Sequence, residues 1–300
     1  MNNILTRLAL VAALVPTSSG KTIERGNLVL LRFPEPVVQR SELLKKSDKF
    51  DVTGDSTHQP ECLWLDQDCL QVTFAPGTSV FTSFQLTFKP GQDKYLAGGN
   101  MEKATYRLSC PRSGLRITPV AGTPTATFCV TPENRHSKEA QEFSADTAVQ
   151  YSFRYCREEK DGSFSFGESL PGKAEPAKLG MIPAEYLNRA LQVLKEQKPD
   201  WSQVNGETPV PGFVLVRAPE LPNTGDQWEF RATPAEESGL RESDKSAHLF
   251  TPEAEPGTDV TQHIFPLSAD AEQSGRMYLF ASFFLFYLMQ ECYKTVLFLY

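Results

Sequence analysis

Histidines and cysteines are few in this chain, and the spacing of its acids, nucleophiles and metal ligands defeats most catalytic uses. Asp51-Val52-Thr53-Gly54-Asp55 sets two carboxylates around a Thr-Gly pair, with the flavour of an aspartic-protease loop. Such a loop places Thr-Gly directly after its Asp and needs a second copy, because two carboxylates must share one proton. Here Val52 intervenes and no second copy occurs. The four histidines, His58, His136, His248 and His263, fall in polar, loop-like segments, none at a ligand spacing from another. A Ser/His/Asp triad draws its members from distant positions, but no G-x-S-x-G elbow is present to seat a serine. Ala97-Gly98-Gly99-Asn100 reads as a tight turn, since it lacks the Lys-Ser/Thr ending of a phosphate loop. No catalytic, cofactor-binding or metal-ligating residue is assigned. No cofactor is expected, and the chain reads as a non-enzyme.

The six cysteines, Cys62, Cys69, Cys110, Cys129, Cys156 and Cys292, contain no C-x-x-C metal or redox pair. Cys62 and Cys69 flank the turn Leu65-Asp66-Gln67-Asp68, while Cys129 and Cys156 lie on two strand-like runs, so either pair is a disulfide candidate. Five cysteines before the tail leave one over, and buried free thiols acting as small hydrophobes are an equal alternative.

The elements that must position these residues are mostly strands. A seven-residue phrase occurs twice, as Gln71-Val72-Thr73-Phe74-Ala75-Pro76-Gly77 and Gln85-Leu86-Thr87-Phe88-Lys89-Pro90-Gly91. Apolar residues alternate through Leu70/Val72/Phe74 and Phe84/Leu86/Phe88, and Pro-Gly closes each run, which predicts two half-buried strands ending in turns. With strands at 27–33, 62–65 and 105–109, residues 21–112 read as a β-sandwich. Residues 113–235 restart the pattern, with a hairpin from Val149 to Phe166 turning at Asp161-Gly162. One helix, 182–198, interrupts it. Its apolar stripe is Leu187, Ala190, Leu191 and Leu194, with a Glu185/Arg189 pair at i,i+4 and Pro199 beyond its end. The narrow stripe predicts packing on its own domain. The fold class is therefore mainly β: two tandem immunoglobulin-like β-sandwich domains, the second with an inserted helix. Residues 236–270 are rich in carboxylates and read as an acidic linker or the start of a further module.

The net charge of −7 and the lack of a Lys/Arg cluster argue against nucleic acid as a partner. Residues 1–20 have the layout of a secretory signal: Arg7, an apolar run Leu8 to Val15, then small residues, so a mature chain is expected to begin near Lys21. The aromatic-rich tail 271–300 leaves two readings open. Met277 to Met289 carries no charge and offers membrane contact, but it is shorter than the ~20 apolar residues of a span and lacks following basic residues. The other reading is a truncated or out-of-frame end to a longer gene.

Phe33-x-x-Pro36-Val37-Val38, Trp64-Leu65-Asp66, Leu70-x-Val72-x-Phe74-x-Pro76-Gly77-Thr78 and Phe88-Lys89-Pro90-Gly91 together resemble bacterial immunoglobulin-like domains. In particular they are similar to the N-terminal domains of bacterial alpha-2-macroglobulin-like proteins. The resemblance covers about residues 27–99, with an echo at 214–230. It implies a large exported protein that traps proteases, with proteases or other envelope proteins as partners. The family's Cys-x-Glu-Gln thioester is absent from this sequence, and Met289-Gln290-Glu291-Cys292 does not match it. The expectation is a non-catalytic, exported N-terminal fragment of such a protein, periplasmic or at the cell surface. The alternative is a structural or adhesive surface protein tethered through Met277 to Tyr300.

Overall fold

The structure is a computed structural model and describes residues 15–17, 20–33, 35–47, 50–89, 105–123, 125–221 and 227–252. The first unit comprises β1 (Val15–Thr17), β2 (Gly20–Arg25), β3 (Leu28–Arg32), β4 (Phe50–Thr53), β5 (Glu61–Asp66), β6 (Cys69–Thr73), β7 (Ser83–Phe88) and β8 (Thr105–Ser109). They form antiparallel sheets in the orders β1-β2-β3-β6-β5 and β4-β7-β8. Leaving β1 aside, this is the A-B-E-D against C-F-G arrangement of a constant-type immunoglobulin sandwich.

The repeated phrase supplies one strand to each sheet, β6 and β7. Because side chains alternate with a period of two, Leu70, Val72 and Phe74 turn inward to meet Phe84, Leu86 and Phe88. The rings of Phe74 and Phe84 lie 5.6 Å apart, centroid to centroid. Gly77, at φ +82°, takes the left-handed conformation that its turn requires. Trp64 stacks on Phe50 at 6.0 Å and donates its indole N–H to Ser47 Oγ at 3.2 Å, so burial leaves that donor satisfied.

The second unit carries β9 (Leu115–Pro119), β10 (Thr127–Pro132), a helical turn α1 (Lys138–Gln141), β11 (Val149–Glu158), β12 (Phe164–Pro171), β13 (Lys173–Lys178), α2 (Leu187–Gln197), β14 (Pro209–Arg217), β15 (Gln227–Pro234) and β16 (Ala247–Phe250). Its sheets run β13-β14-β10-β9 and β12-β11-β15-β16. That is again A-B-E-D, now facing C-F-G with one added strand beside C. Between the sheets, Phe230 stacks on Phe128 at 4.7 Å and on Phe153 at 4.6 Å. The outer face of the first sheet is covered as well, by α2. Cys129, Phe213 and Leu215 pack there against Tyr186, Ala190 and Leu194. Two-sided burial explains the unbroken apolar run Phe213 to Val216, since neither face of β14 meets water.

Several expectations change in detail. The helix proper starts at Leu187, after 3-10 turns at Leu179–Met181 and Ala184–Tyr186. Leu187 is exposed, and Val193 takes the buried place expected of it. Glu185 and Arg189 do not pair. Glu185 accepts from Thr118 Oγ1 at 3.0 Å and sits 4.0 Å from Arg116, while Arg189 turns the other way, to Pro132. The sandwich also runs past 235, because β16 pairs with β15; residues 253–270 of the expected linker lie outside the described residues. His248 is on that strand, half-buried against Phe128 at 5.6 Å, and not in a loop. The hairpin turn at Asp161-Gly162 is as expected, with Asp161 Oδ1 accepting from Ser163 N at 3.0 Å.

Cys62, Cys69, Cys129 and Cys156 are free and buried, and Cys110 is buried as well. Cys62 points into the first core, whereas Cys69 neighbours the inward Leu70 and so lies on the opposite face of the sheet. Cys129 faces α2 on one sheet of the second sandwich and Cys156 belongs to the other sheet. Neither candidate pair meets, which leaves the buried-thiol alternative. Burial pushes the Cys62 and Cys129 thiols up to about 12, away from thiolate reactivity. Most of the signal-like segment, the Ala97 to Asn100 turn, His263, Cys292 and the tail 271–300 lie outside the described residues. Among the described residues no helix is long and apolar enough to cross a membrane.

Candidate functional site

The residues that the sequence offers for chemistry are dispersed. Asp51 is exposed on β4. Asp55 accepts from Thr57 N at 2.8 Å and bonds His58 Nδ1 at 2.7 Å. The His58 bond is the main cause holding the Asp55 carboxyl below its usual range. That pair shapes a surface loop. Among the described residues no three His, Cys, Asp or Glu side chains gather as a metal site.

Two other clusters form, and one segment, residues 133–141 of the second unit, is central to the first. One side of the segment docks on the first sandwich. Gly77 N donates to His136 O at 2.7 Å, Lys138 N to Thr78 O at 3.2 Å, and Val80 N to Glu139 Oε2 at 3.1 Å. Ser79 Oγ donates to the other Glu139 oxygen at 2.5 Å, so this carboxylate bridges the two sandwiches. Gly239, at φ +68°, leaves room for it: a Cβ there would come within 2.6 Å of Glu139 Cγ.

The other side of the segment faces α2 across a groove of about 510 Å³. Arg135 enters from the segment and Arg189 from the helix. Each is anchored through one nitrogen to a backbone carbonyl: Arg135 Nη2 donates to Gln141 O at 3.1 Å, and Arg189 Nη1 to Pro132 O at 2.9 Å. Gln141 Nε2 returns a bond to Arg135 O at 3.0 Å, locking the segment. Arg135 passes over Gly212, where a Cβ would lie 3.3 Å from Nε, and Arg189 lies 5.4 Å from the Phe213 ring centre. Gly212 has φ +81°, so an alanine there would be strained as well as crowded.

The groove is electrostatically incomplete. Arg135 Nε and Arg189 Nη2 are buried without a hydrogen-bond partner, and among the described residues neither side chain makes an ion pair. Burial lowers the Arg135 pKa, offset in part by Glu196. Burial, reinforced by the charge of Arg135, lowers that of Arg189 to about 10. Each unsatisfied buried donor costs on the order of 1–3 kcal/mol. Glu133 on the groove wall lies 3.7 Å from Lys245, and Glu196 accepts from Gln192 at 3.2 Å. Nothing in the sequence announces this pairing. Arg135 lies in a polar stretch after the strand-like run that ends at Pro132, and Arg189 reads as the partner of Glu185.

The second cluster lies on the outer face of β11 and β15. Glu229 is 4% exposed, and both of its oxygens are taken: Arg154 Nε donates to Oε2, and Arg231 Nη2 to Oε1 at 2.9 Å. Burial pushes the Glu229 carboxyl up, but the two arginine hydrogen bonds outweigh it and hold the pKa below its ordinary value. Arg154 also lies over the Phe166 ring, 3.7 Å from its centre, tying β12 to β11. Arg231 leaves its own Nε unbonded, yet its charge is matched by Glu229 and by Glu242 at 3.9 Å. A scan against protein-family models finds no match for the chain, and a search of curated proteins finds no significant one.

Proposed function

We propose that this protein is a non-catalytic, exported scaffold, the N-terminal part of an alpha-2-macroglobulin-like protease-defence protein. The observation that carries the reading is the tandem of two sandwiches in immunoglobulin strand order, beginning with the domain whose Trp64, Leu70 to Thr78 and Phe88-Lys89 residues carry the resemblance. The junction supports it too. Glu139 and the 133–141 segment fasten one sandwich to the next, as a chain of stacked modules requires. Its partners are proteins, proteases or other envelope components, recognised by module surfaces. Two measurements test this. Sequencing the gene beyond the codon for Tyr300 is expected to reveal further macroglobulin-type modules, and their absence in every frame would remove the family reading. Fractionation of expressing cells is expected to place a chain starting near Lys21 in the exported fraction. Retention in membranes against a salt wash would favour instead an adhesive protein tethered through Met277 to Tyr300.

A further inference from the structure

We propose that the groove between the 133–141 segment and α2 binds a carboxylate presented by an acidic peptide, with Arg135 and Arg189 as its joint ligands. This goes beyond the scaffold reading and does not depend on it. The two guanidiniums are already in place. Both side chains line one groove; the Gln141 and Pro132 carbonyls hold one nitrogen of each fork, and a second nitrogen of each, Arg135 Nε and Arg189 Nη2, is buried without a partner. A planar guanidinium held in this way is preorganised for a planar oxyanion, because little side-chain freedom remains to be lost on binding.

Charge selects among anions. Two guanidiniums face the groove; Glu133 is matched by Lys245 at 3.7 Å, and Glu196 is the one further carboxylate on the wall. The remainder is a single positive charge, which suits a monoanionic carboxylate better than a doubly charged phosphate. Size points to a peptide and not a free small acid. A groove of about 510 Å³ exceeds a lone carboxylate and accepts neighbouring residues, with the Gln192 amide on the wall to meet their backbone.

The test is calorimetric titration of the full chain at low ionic strength with three probes. They are a capped peptide of alternating glycine and glutamate, its glutamine counterpart, and inorganic phosphate. The glutamate peptide is expected to bind at least about tenfold more tightly than the glutamine peptide, a ratio worth one decade in Kd. Arg135→Gln and Arg189→Gln are each expected to weaken it by roughly tenfold or more, as loss of a charge-assisted bond does. Arg189 rests on Phe213, so its variant risks the fold. Two milder changes keep the test decisive: Arg135→Lys, which keeps charge but loses the fork, should weaken binding, and Glu196→Gln should strengthen it. Equal binding of both peptides, no binding of the glutamate peptide at about 1 mM, tighter binding of phosphate, or indifference to all four substitutions would each overturn the proposal.

Discussion

Two clusters of the second sandwich use the same kind of side chain to opposite effect. On the outer face of β11 and β15, two arginines surround one buried carboxylate, and both oxygens of Glu229 are consumed. In the groove beneath α2, two arginines make no ion pair among the described residues, and each donates to a backbone carbonyl. The first arrangement is closed: Glu229 and Glu242 together match the two arginines, and removing Glu229 strips both of their buried partner. The second is open, because its charges are held but not balanced. Placement explains the difference. Arg154 and Glu229 are direct cross-strand partners in register, so pairing follows from the sheet itself. Arg135 and Arg189 come from a loop and a helix, and no register brings a carboxylate opposite them.

Breaking the closed cluster should have the largest effect. Glu229→Ala is expected to destabilise the second sandwich by about 3 kcal/mol, because Arg154 and Arg231, each about one-third exposed, lose the buried carboxylate that accepts from both. Chemical denaturation followed by intrinsic fluorescence measures this, and a change near zero would mean that the buried pair is not balanced as described. The same cluster sets an acid dependence. The folded Glu229 pKa lies below the ordinary value of 4.5, so its stabilisation is complete above that pH and is lost as pH falls through the lower folded value. Glu229→Gln should therefore flatten the acid limb of the stability profile. A variant whose profile follows the parent between about pH 5 and pH 2 would contradict the assignment.

Closing the open cluster should give the next effect. If the glutamate peptide binds the native groove, a concentration of about 100 times its Kd raises stability by about 2.7 kcal/mol. That gain should be absent in Arg135→Gln. Denaturation curves with and without peptide read it directly.

The contrast also marks what the sequence made legible. The repeated phrase exposed the period-two burial of β6 and β7, because a sheet with one wet face must alternate. The Val149 to Phe166 hairpin was legible for a similar local reason, its Asp-Gly turn. What failed was angular or long-range. Glu185 precedes Arg189 by one helical turn's spacing, but it sits in a 3-10 turn before α2, so the two never share a face. Leu187 opens the helix at its exposed edge, and Val193 completes the buried stripe. β16 hides in an acidic stretch because four residues are too few to show a period. The groove was invisible because its arginines stand far apart in sequence and are joined only when α2 covers the sheet.

The smallest effect separates the clusters most sharply. Arg135→Met should leave stability within about 1 kcal/mol of the parent, or raise it slightly. Methionine keeps an apolar stem over Gly212 and removes a half-buried charge that Glu196 offsets only in part, against the loss of one bond to Gln141 O. The matching change in the closed cluster, Arg154→Met, should cost several times more, because it strips a hydrogen bond from Glu229 and a cation from the Phe166 ring. Parallel denaturation of the two variants gives the comparison. Equal losses would show that the groove arginines hold the fold as firmly as the ion cluster does. A clear gap between them would leave Arg135 as a residue that adds little to stability, as expected of a ligand-binding cation.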